Sequence, residues 1–297
     1  MSPDARAENQ ASDANRAAVE TRQPRPSNPP LFASAVRIFD LSLGQMLWSR
    51  RSVFLGLLLG GPVVLSIVIR SLSTMSGLSI NGAQPEGATI FGMMVWLLYI
   101  RFIVPILGVF YGTALIADEV EDKTITYLFT RPIPRSAVLL GKYLAYLVCT
   151  VLLVLPSVMI VFFLVVPTGG SSVAASFPSL LADFAMLMIG LASYGAVFAL
   201  VGTRLKRPLV VGLVYAFGWE PAVLLFPGYL KRVTVMYYLQ ALVTHDMPQD
   251  SAVSMVLQLF REVPTIPVSL VSLAVIIGVT LWGAGRTVEQ REYVLEQ

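Results

Sequence analysis

The amino-acid sequence predicts an all-α polytopic membrane protein. Hydrophobic residues make up 56% of the 297 positions and charged residues only 13%, whereas a soluble domain carries about 25% charged residues. The mean hydropathy is +0.72, and the apolar residues gather in long runs. Because a segment in hydrocarbon must satisfy its backbone hydrogen bonds internally, these runs predict transmembrane helices.

The N-terminal region divides into two parts. Residues 1–30 contain almost no large apolar side chain, so they cannot bury enough surface to offset the entropy of ordering and are predicted to be a disordered tail. Residues 31–297 are predicted to form one membrane domain. Apolar residues at helical spacing over 31–48 favour an amphipathic helix on the membrane surface, ahead of a boundary at Arg50 and Arg51. A slightly polar start to the first span is the alternative.

Six apolar runs are long enough to cross about 30 Å of hydrocarbon, which takes about 20 helical residues. The predicted spans are 52–69, 88–117, 137–166, 177–200, 209–226 and 266–282. Glu220 and Pro221 interrupt the fifth run, which makes its far end the least defined boundary.

The distribution of Lys and Arg predicts the orientation of the spans. With the N-terminus in the cytoplasm, 16 of the 21 basic residues fall in cytoplasmic segments, and 12 remain when the four arginines of the tail are left out. Since basic residues accumulate in cytoplasmic loops, both termini are predicted to be cytoplasmic. The 227–264 segment is then outside, where its apolar periodicity predicts two short helices that lie on the membrane surface or dip into it.

The segment 118–135 joins the second and third predicted spans and holds four acids and three bases. These charges place it in water. A helix over 119–130 would have its acids at the positive end of the helix dipole, an apolar face at spacings of three and four, and a stop at Pro132. Such a helix suits docking of a soluble partner, and a polar linker that touches the inner interface is the alternative.

This segment resembles the first cytoplasmic loop of type-2 ABC-transporter permeases. The family pattern is an acidic pair, a Thr, paired apolar residues, Pro-Ile/Val-x-Arg and a Gly-Lys that opens the third span. The matching residues are Glu119, Glu121, Thr124, Tyr127, Leu128, Pro132, Ile133, Pro134, Arg135, Gly141 and Lys142. Lys123 stands where many relatives have Gly. The amphipathic start, six spans and larger last outer loop extend the resemblance over most of the chain, especially to six-span permeases of bacterial exporters.

The resemblance implies a role for this segment as a coupling helix seated in a groove of a separate ABC ATPase. It implies that Tyr127, Leu128 and Phe129 are buried anchors of that contact. The flanking polar contacts would be Glu119, Glu121, Thr124, Arg131 and Arg135. It further implies export across the bacterial inner membrane by two permeases, identical or paralogous, and two ATPase subunits.

The chain lacks the motifs of an enzyme. No Gly-x-x-x-x-Gly-Lys-Ser/Thr occurs, so no cofactor is expected on this chain and ATP is expected on the partner subunit. His245 is the only histidine and no hydrolase or metalloprotease motif accompanies it. We therefore expect no catalytic residue, no metal site and no nucleic-acid partner.

Two charged residues interrupt the predicted spans, Arg101 in the second and Glu220 in the fifth. An unpaired Arg near the bilayer centre costs about 2.5–3.5 kcal/mol on insertion scales. We therefore predict that the two side chains face the protein interior and stabilise each other. This pair would either pack the bundle or line a translocation path, and snorkelling of the side chains to the surface is the third interpretation.

Other polar or special residues of the spans lead to smaller expectations. Pro105, Pro156 and Pro221 are expected to kink their helices. Asp183, near the outer start of the fourth span, is expected to be solvated. Cys149 is expected to pack as a small hydrophobe, and as the only cysteine it excludes an intrachain disulfide.

Two other functions share this topology. An ion-coupled secondary transporter would place several ionisable residues along a midplane path, and this chain offers only Arg101 and Glu220. A membrane scaffold or sensor would need no ATPase. The sequence favours the permease over both.

Overall fold

The computed structural model describes residues 36, 38–40, 42–44, 46, 50–76, 86–116, 135–225, 229–243 and 264–290. All regular elements in these ranges are helical and none is a strand, which confirms the all-α prediction. The main helices are α1 (Arg50–Ser76), α2 (Gly87–Ile116), α3 (Arg135–Val165), α4 (Val173–Arg204), α5 (Pro208–Val223), α6 (Val235–Leu239) and α7 (Ile266–Gln290).

Five of these helices are long and apolar enough to cross a membrane: α1, α2, α3, α4 and α7. They coincide with five of the six predicted spans, although α1 and α7 continue several residues further at their C-terminal ends. The predicted fifth span corresponds to α5, a shorter apolar helix. Among the described residues the structure therefore supports five spanning helices, and the sixth remains a prediction.

The two most enclosed helices, α2 and α4, pack backbone to backbone. A Cβ atom on Gly108 would lie 2.7 Å from the Cβ of Tyr194, and one on Gly112 would lie 3.0 Å from the carbonyl oxygen of Gly195. Lipid tails are as apolar as leucine, so membrane helices associate through close packing and small residues rather than through the hydrophobic effect. The two glycines, four residues apart, provide that close approach.

Tyrosine hydroxyls join α3 to α4. Tyr143 donates a hydrogen bond of 2.9 Å to the carbonyl of Ala192, and Tyr146 donates one of 2.9 Å to the carbonyl of Leu191. Gly195 makes room for the second ring, since a Cβ there would lie 2.1 Å from Cε1 of Tyr146. These interhelical bonds satisfy polar groups that hydrocarbon could not solvate.

A second polar connection joins α1, α2 and α3. The hydroxyl of Tyr99 lies 2.7 Å from that of Ser157, which donates a bond of 3.1 Å to the carbonyl of Leu59. Away from this connection α1 and α7 expose most of their apolar side chains, with 22% and 17% of their most apolar stretches buried. These faces suit contact with lipid.

Two of the three prolines expected to kink their helices lie next to a local change of helix geometry, and the kinks themselves remain a prediction. Pro105 follows the π-helical stretch Val95–Ile103 of α2, and Pro221 follows the π-helical stretch Val214–Trp219 of α5. Proline has no N–H to give to the residue four positions back, which favours such departures from α-helical bonding. Pro156 lies inside α3.

Several predictions concern residues at or beyond the limits of the described ranges. In the N-terminal amphipathic region the described residues are helical, and Ile38 and Ser42 are buried there. Cys149 is buried, as predicted. The predicted tail 1–30, the coupling helix 119–130 and the second apolar stretch of the 227–264 segment lie outside the described residues.

Candidate functional site

A cavity of about 410 Å³ lies between α2, α4, α5 and α6. Most of its wall is apolar, and its two charged side chains are Arg101 and Glu220. The lining residues are Leu97, Leu98, Arg101, Phe102, Pro105, Tyr194, Ala216, Phe217, Glu220, Pro221 and Met236. The structure thus brings together the two charged residues that the sequence singled out in different spans.

Arg101 lies at the middle of α2, 14 residues after Gly87 and 15 before Ile116. It belongs to a π-helical stretch, in which the N–H of Val104 bonds to the carbonyl of Tyr99 five residues back. A π-turn adds a residue to the turn and changes which side chains face a given direction, and such turns are frequent at functional sites. The Arg101 side chain is exposed.

Glu220 follows the π-helical stretch of α5, and its own N–H bonds to the carbonyl of Tyr215 five residues back. It lies 12 residues after Pro208, or about 18 Å along a helix. Its side chain is 2% exposed, in contrast to that of Arg101. A carboxyl this deep in an apolar bundle requires hydrogen-bond donors around it.

Three donors surround the Glu220 carboxyl group. The Tyr194 hydroxyl of α4 donates to Oε2. The backbone N–H groups of Val235 and Met236 donate to Oε1 over 2.9 Å and 3.3 Å. Because all three partners are donors, they match the acceptor-only carboxylate form.

The two backbone bonds make Glu220 the cap of α6. The first N–H groups of a helix have no partner within it, and the N-cap residue Thr234 gives no side-chain bond to them. Its hydroxyl bonds instead to the carbonyl of Lys231, at 2.7 Å. Glu220 therefore takes over the capping role from another helix and ties α4, α5 and α6 together.

The α6 helix reaches into the bundle. A Cβ atom on Gly190, in the middle part of α4, would lie 3.3 Å from Cγ1 of Val104 and 3.4 Å from Cδ1 of Leu239. Of the two predicted arrangements for this apolar segment, lying on the surface or dipping inward, these contacts match the second. The sequence had no signal for its capping by Glu220, because backbone donors leave no trace in a residue pattern.

The expectation for Asp183 is wrong. Its side chain is fully buried rather than solvated. Lys231, four residues before the start of α6, is also buried, with 5% of its surface exposed. The sequence places both residues near a span boundary, and it could not show that α6 packs against α4.

Arg101 and Glu220, the predicted pair, lie in the same cavity, but Glu220 bonds to other residues. The two side chains share the cavity and interact electrostatically across it. The hydrogen bonds of Glu220 come from Tyr194, Val235 and Met236. Within the described residues Arg101 forms no hydrogen bond or ion pair. A direct pair stays a prediction.

Of the predicted coupling residues, the structure describes one, at the start of α3. Arg135 is the first residue of α3. The others, Glu119, Glu121, Thr124, Tyr127, Leu128, Phe129 and Arg131, lie outside the described residues. The described part of α2, which forms one wall of the cavity, extends to Ile116, and the segment that carries these residues follows it in the sequence.

The described residues define a class of protein: a multi-pass helical membrane protein with a cavity inside its bundle. They contain no group of three or more His, Cys, Asp or Glu residues that could hold a metal ion. The family model described as ABC-2 family transporter protein matches residues 5–282, so the chain belongs to this family. It is a permease component of an ABC transporter and is not itself catalytic. Membership of this family implies partnership with an ABC ATPase. No curated protein matches the chain.

Proposed function

We propose that this permease exports its substrate and is driven by ATP that a separate ATPase binds and hydrolyses. The observation that carries the proposal is the continuity of α2. This helix forms a wall of the cavity through Arg101 and is described as far as Ile116, and the segment predicted to dock the ATPase begins two residues further along the chain, at Asp118. Force applied to that segment would reach the cavity through a single helix of 30 residues, about 45 Å long.

Close packing makes α2 suitable for transmitting motion. The glycine contacts of Gly108 and Gly112 with α4 leave no space for independent sliding of the two helices. Packed interfaces of this kind tend to switch between discrete arrangements rather than deform continuously. A displacement of the coupling helix would thus move α2 and α4 together.

In the proposed contact, Tyr127, Leu128 and Phe129 enter a groove of the ATPase. The charged and polar residues around them, Glu119, Glu121, Thr124, Arg131 and Arg135, would fix the orientation of the helix. Aromatic and aliphatic anchors in a pocket supply most of the binding energy of such interfaces, with polar groups at the rim. Family membership favours this ATP-driven function over an ion-coupled transporter or a scaffold.

The helix α6 contributes Met236 to the cavity wall. We propose that α6 is an outer gate and that the Glu220 hydrogen bonds hold it shut in the described conformation. Movement of α4 relative to α5 would separate Tyr194 from Glu220 and loosen the cap of α6. This arrangement links the ATPase side to the exit side through the α4–α5 contact.

The proposed assembly contains two permeases, identical or paralogous, and two ATPases in a bacterial inner membrane, with both permease termini in the cytoplasm. Some apolar side chains that line the cavity are exposed, including Leu97 of α2 and Phe217 of α5. Such side chains would be covered by a second permease or by lipid.

The experiment is a double substitution, Tyr127→Asp with Leu128→Asp, followed by co-purification with the ATPase encoded beside the permease gene. We expect association to fall by about tenfold or more, because charged groups would enter an apolar groove. Leu205→Asp is the matched control, since Leu205 is an exposed apolar residue of the short connection between α4 and α5. Unchanged association and transport in the double variant would refute the docking role.

A further inference from the structure

The cavity contains a cation whose charge has no close partner in the described structure. Arg101 forms neither a hydrogen bond nor an ion pair with the described residues, and its side chain is exposed. It nevertheless occupies the middle of a membrane-spanning helix. Arginine at this depth is rare and faces a counter-charge, a wet cavity or a ligand.

Within the described structure, the Glu220 carboxyl group does not bind the Arg101 guanidinium directly. Its two oxygens accept the three hydrogen bonds from Tyr194, Val235 and Met236. With 2% of its surface exposed, it presents almost no area to a molecule in the cavity. A ligand that enters the cavity would therefore contact the positive charge of Arg101, whereas the negative charge of Glu220 stays buried.

The remainder of the wall suits an apolar body. Phe102 of α2 and Phe217 of α5 form an edge-to-face pair, with ring centroids 5.6 Å apart, and Leu97, Leu98 and Pro105 extend the same surface. A volume of about 410 Å³ falls in the range of cavities that hold small organic ligands. The cavity thus has one exposed cationic group in a mostly apolar wall.

We propose that the cavity binds an amphipathic monoanion, with its acidic head on the Arg101 guanidinium and its hydrocarbon or aromatic body against Phe102 and Phe217. The planar guanidinium can give two parallel hydrogen bonds to a carboxylate, phosphate or sulfonate. A second negative charge on the ligand would be repelled by Glu220. The inference rests on the proposed function, since it names the substrate class of the exporter.

The test measures binding to the full-length permease alone, in nanodiscs of neutral phosphatidylcholine. The probe is dansylamino-undecanoic acid, whose fluorescence rises in an apolar site, and its methyl ester is the uncharged match. Empty nanodiscs give the partitioning background. We expect the wild type to bind the acid about tenfold or more tightly than the ester, because only the acid pairs with Arg101.

Substitutions test whether Arg101 causes the preference for the acid over the ester. Arg101→Gln should weaken binding of the acid about tenfold and leave that of the ester unchanged, whereas Arg101→Lys, which keeps the charge but not the paired donors, should keep only part of the preference. Arg70→Gln is the control, because Arg70 lies near the end of α1 and does not line the cavity. If Arg101→Gln does not fold, Ala216→Leu replaces it: filling the cavity should weaken both probes.

Three results would overturn the inference. They are equal binding of acid and ester by the wild type, an equal loss of both probes in Arg101→Gln, and an acid preference that survives in Arg101→Gln.

A repeat in nanodiscs with phosphatidylglycerol identifies the source of the anion. Competition by this lipid supports a lipid headgroup at Arg101, and its absence supports a free amphiphile.

A failure of this inference can be distinguished from a failure of the proposed function. The binding measurement contains no ATPase, so its failure leaves the co-purification result intact. A failure of ATPase docking, in turn, leaves the acid-to-ester ratio as evidence for the cavity.

Discussion

Replacing Glu220 by alanine tests how strongly α6 is held to the bundle. The substitution removes the acceptor of three hydrogen bonds, from the Tyr194 hydroxyl and from the N–H groups of Val235 and Met236. The two N–H groups belong to the first turn of α6 and would lose their cap. A water-filled gap could only partly replace the carboxylate in this apolar enclosure.

The magnitude follows from the number and type of the lost bonds. Hydrogen bonds to charged groups contribute about 1.5–3 kcal/mol in soluble proteins, and interhelical bonds in a membrane average about 0.6 kcal/mol with a maximum of about 1.7 kcal/mol. Charge-assisted, buried bonds belong in the upper part of the membrane range. Three of them at about 1–1.7 kcal/mol each predict a loss of about 3–5 kcal/mol in the free energy of unfolding.

The chain contains its own reporter of unfolding. Cys149 is the only cysteine and is fully buried in α3, so a fluorogenic maleimide reacts when the bundle opens. At about 2 °C per kcal/mol for a chain of this length, Glu220→Ala should lower the midpoint of thermal unfolding by about 6–10 °C in detergent.

A graded series separates charge from shape. Glu220→Gln keeps an amide oxygen for the two N–H groups but loses the charge, and charge-assisted bonds are about twice as strong as neutral ones. We expect it to lose about half as much stability as Glu220→Ala. Glu86→Gln is the control, because Glu86 is exposed and gives no side-chain cap to α2. An unfolding midpoint of Glu220→Ala equal to that of this control would refute the capping argument.

Two further predictions concern the contacts between the other helices. Gly195→Ala should destabilise the bundle by about 1–3 kcal/mol, because the new methyl group would lie 2.1 Å from the ring of Tyr146; thermal unfolding measures the loss, and Tyr146→Leu in the same chain should restore part of it. Ser157→Ala should cost about 1–2 kcal/mol, since it breaks the link of Tyr99 to Leu59 across α1, α2 and α3. An unchanged midpoint in either variant would contradict the corresponding contact.

The positions of the long helices could be predicted because their cause is local. A run of apolar residues about 20 long meets the hydrocarbon requirement whatever surrounds it, and five predicted spans match α1, α2, α3, α4 and α7. The same criterion made the outer end of the fifth predicted span the least defined boundary, because Glu220 and Pro221 interrupt the run, and α5 is a shorter apolar helix. Residues 118–135 carry a recognisable motif, and their proposed contact with an ATPase remains a prediction.

The environment of Glu220 could not be predicted in the same way. The sequence offered Arg101 as its opposite charge, and the structure does place both in one cavity. The hydrogen bonds come instead from a tyrosine and from backbone N–H groups of α6. Every residue except proline carries such a donor, so residue identity does not mark which of them will be used.

Hydropathy and charge along the chain thus established the membrane class, the long helices and the two charged residues within them. Folding settled which groups meet: the cap that Glu220 provides for α6, the burial of Asp183, and a cavity with Arg101 in its wall. The physical reason is a difference in range. Transfer of a segment into lipid depends on its own side chains, whereas a cap, a buried acid or a cavity requires helices distant in sequence to pack together.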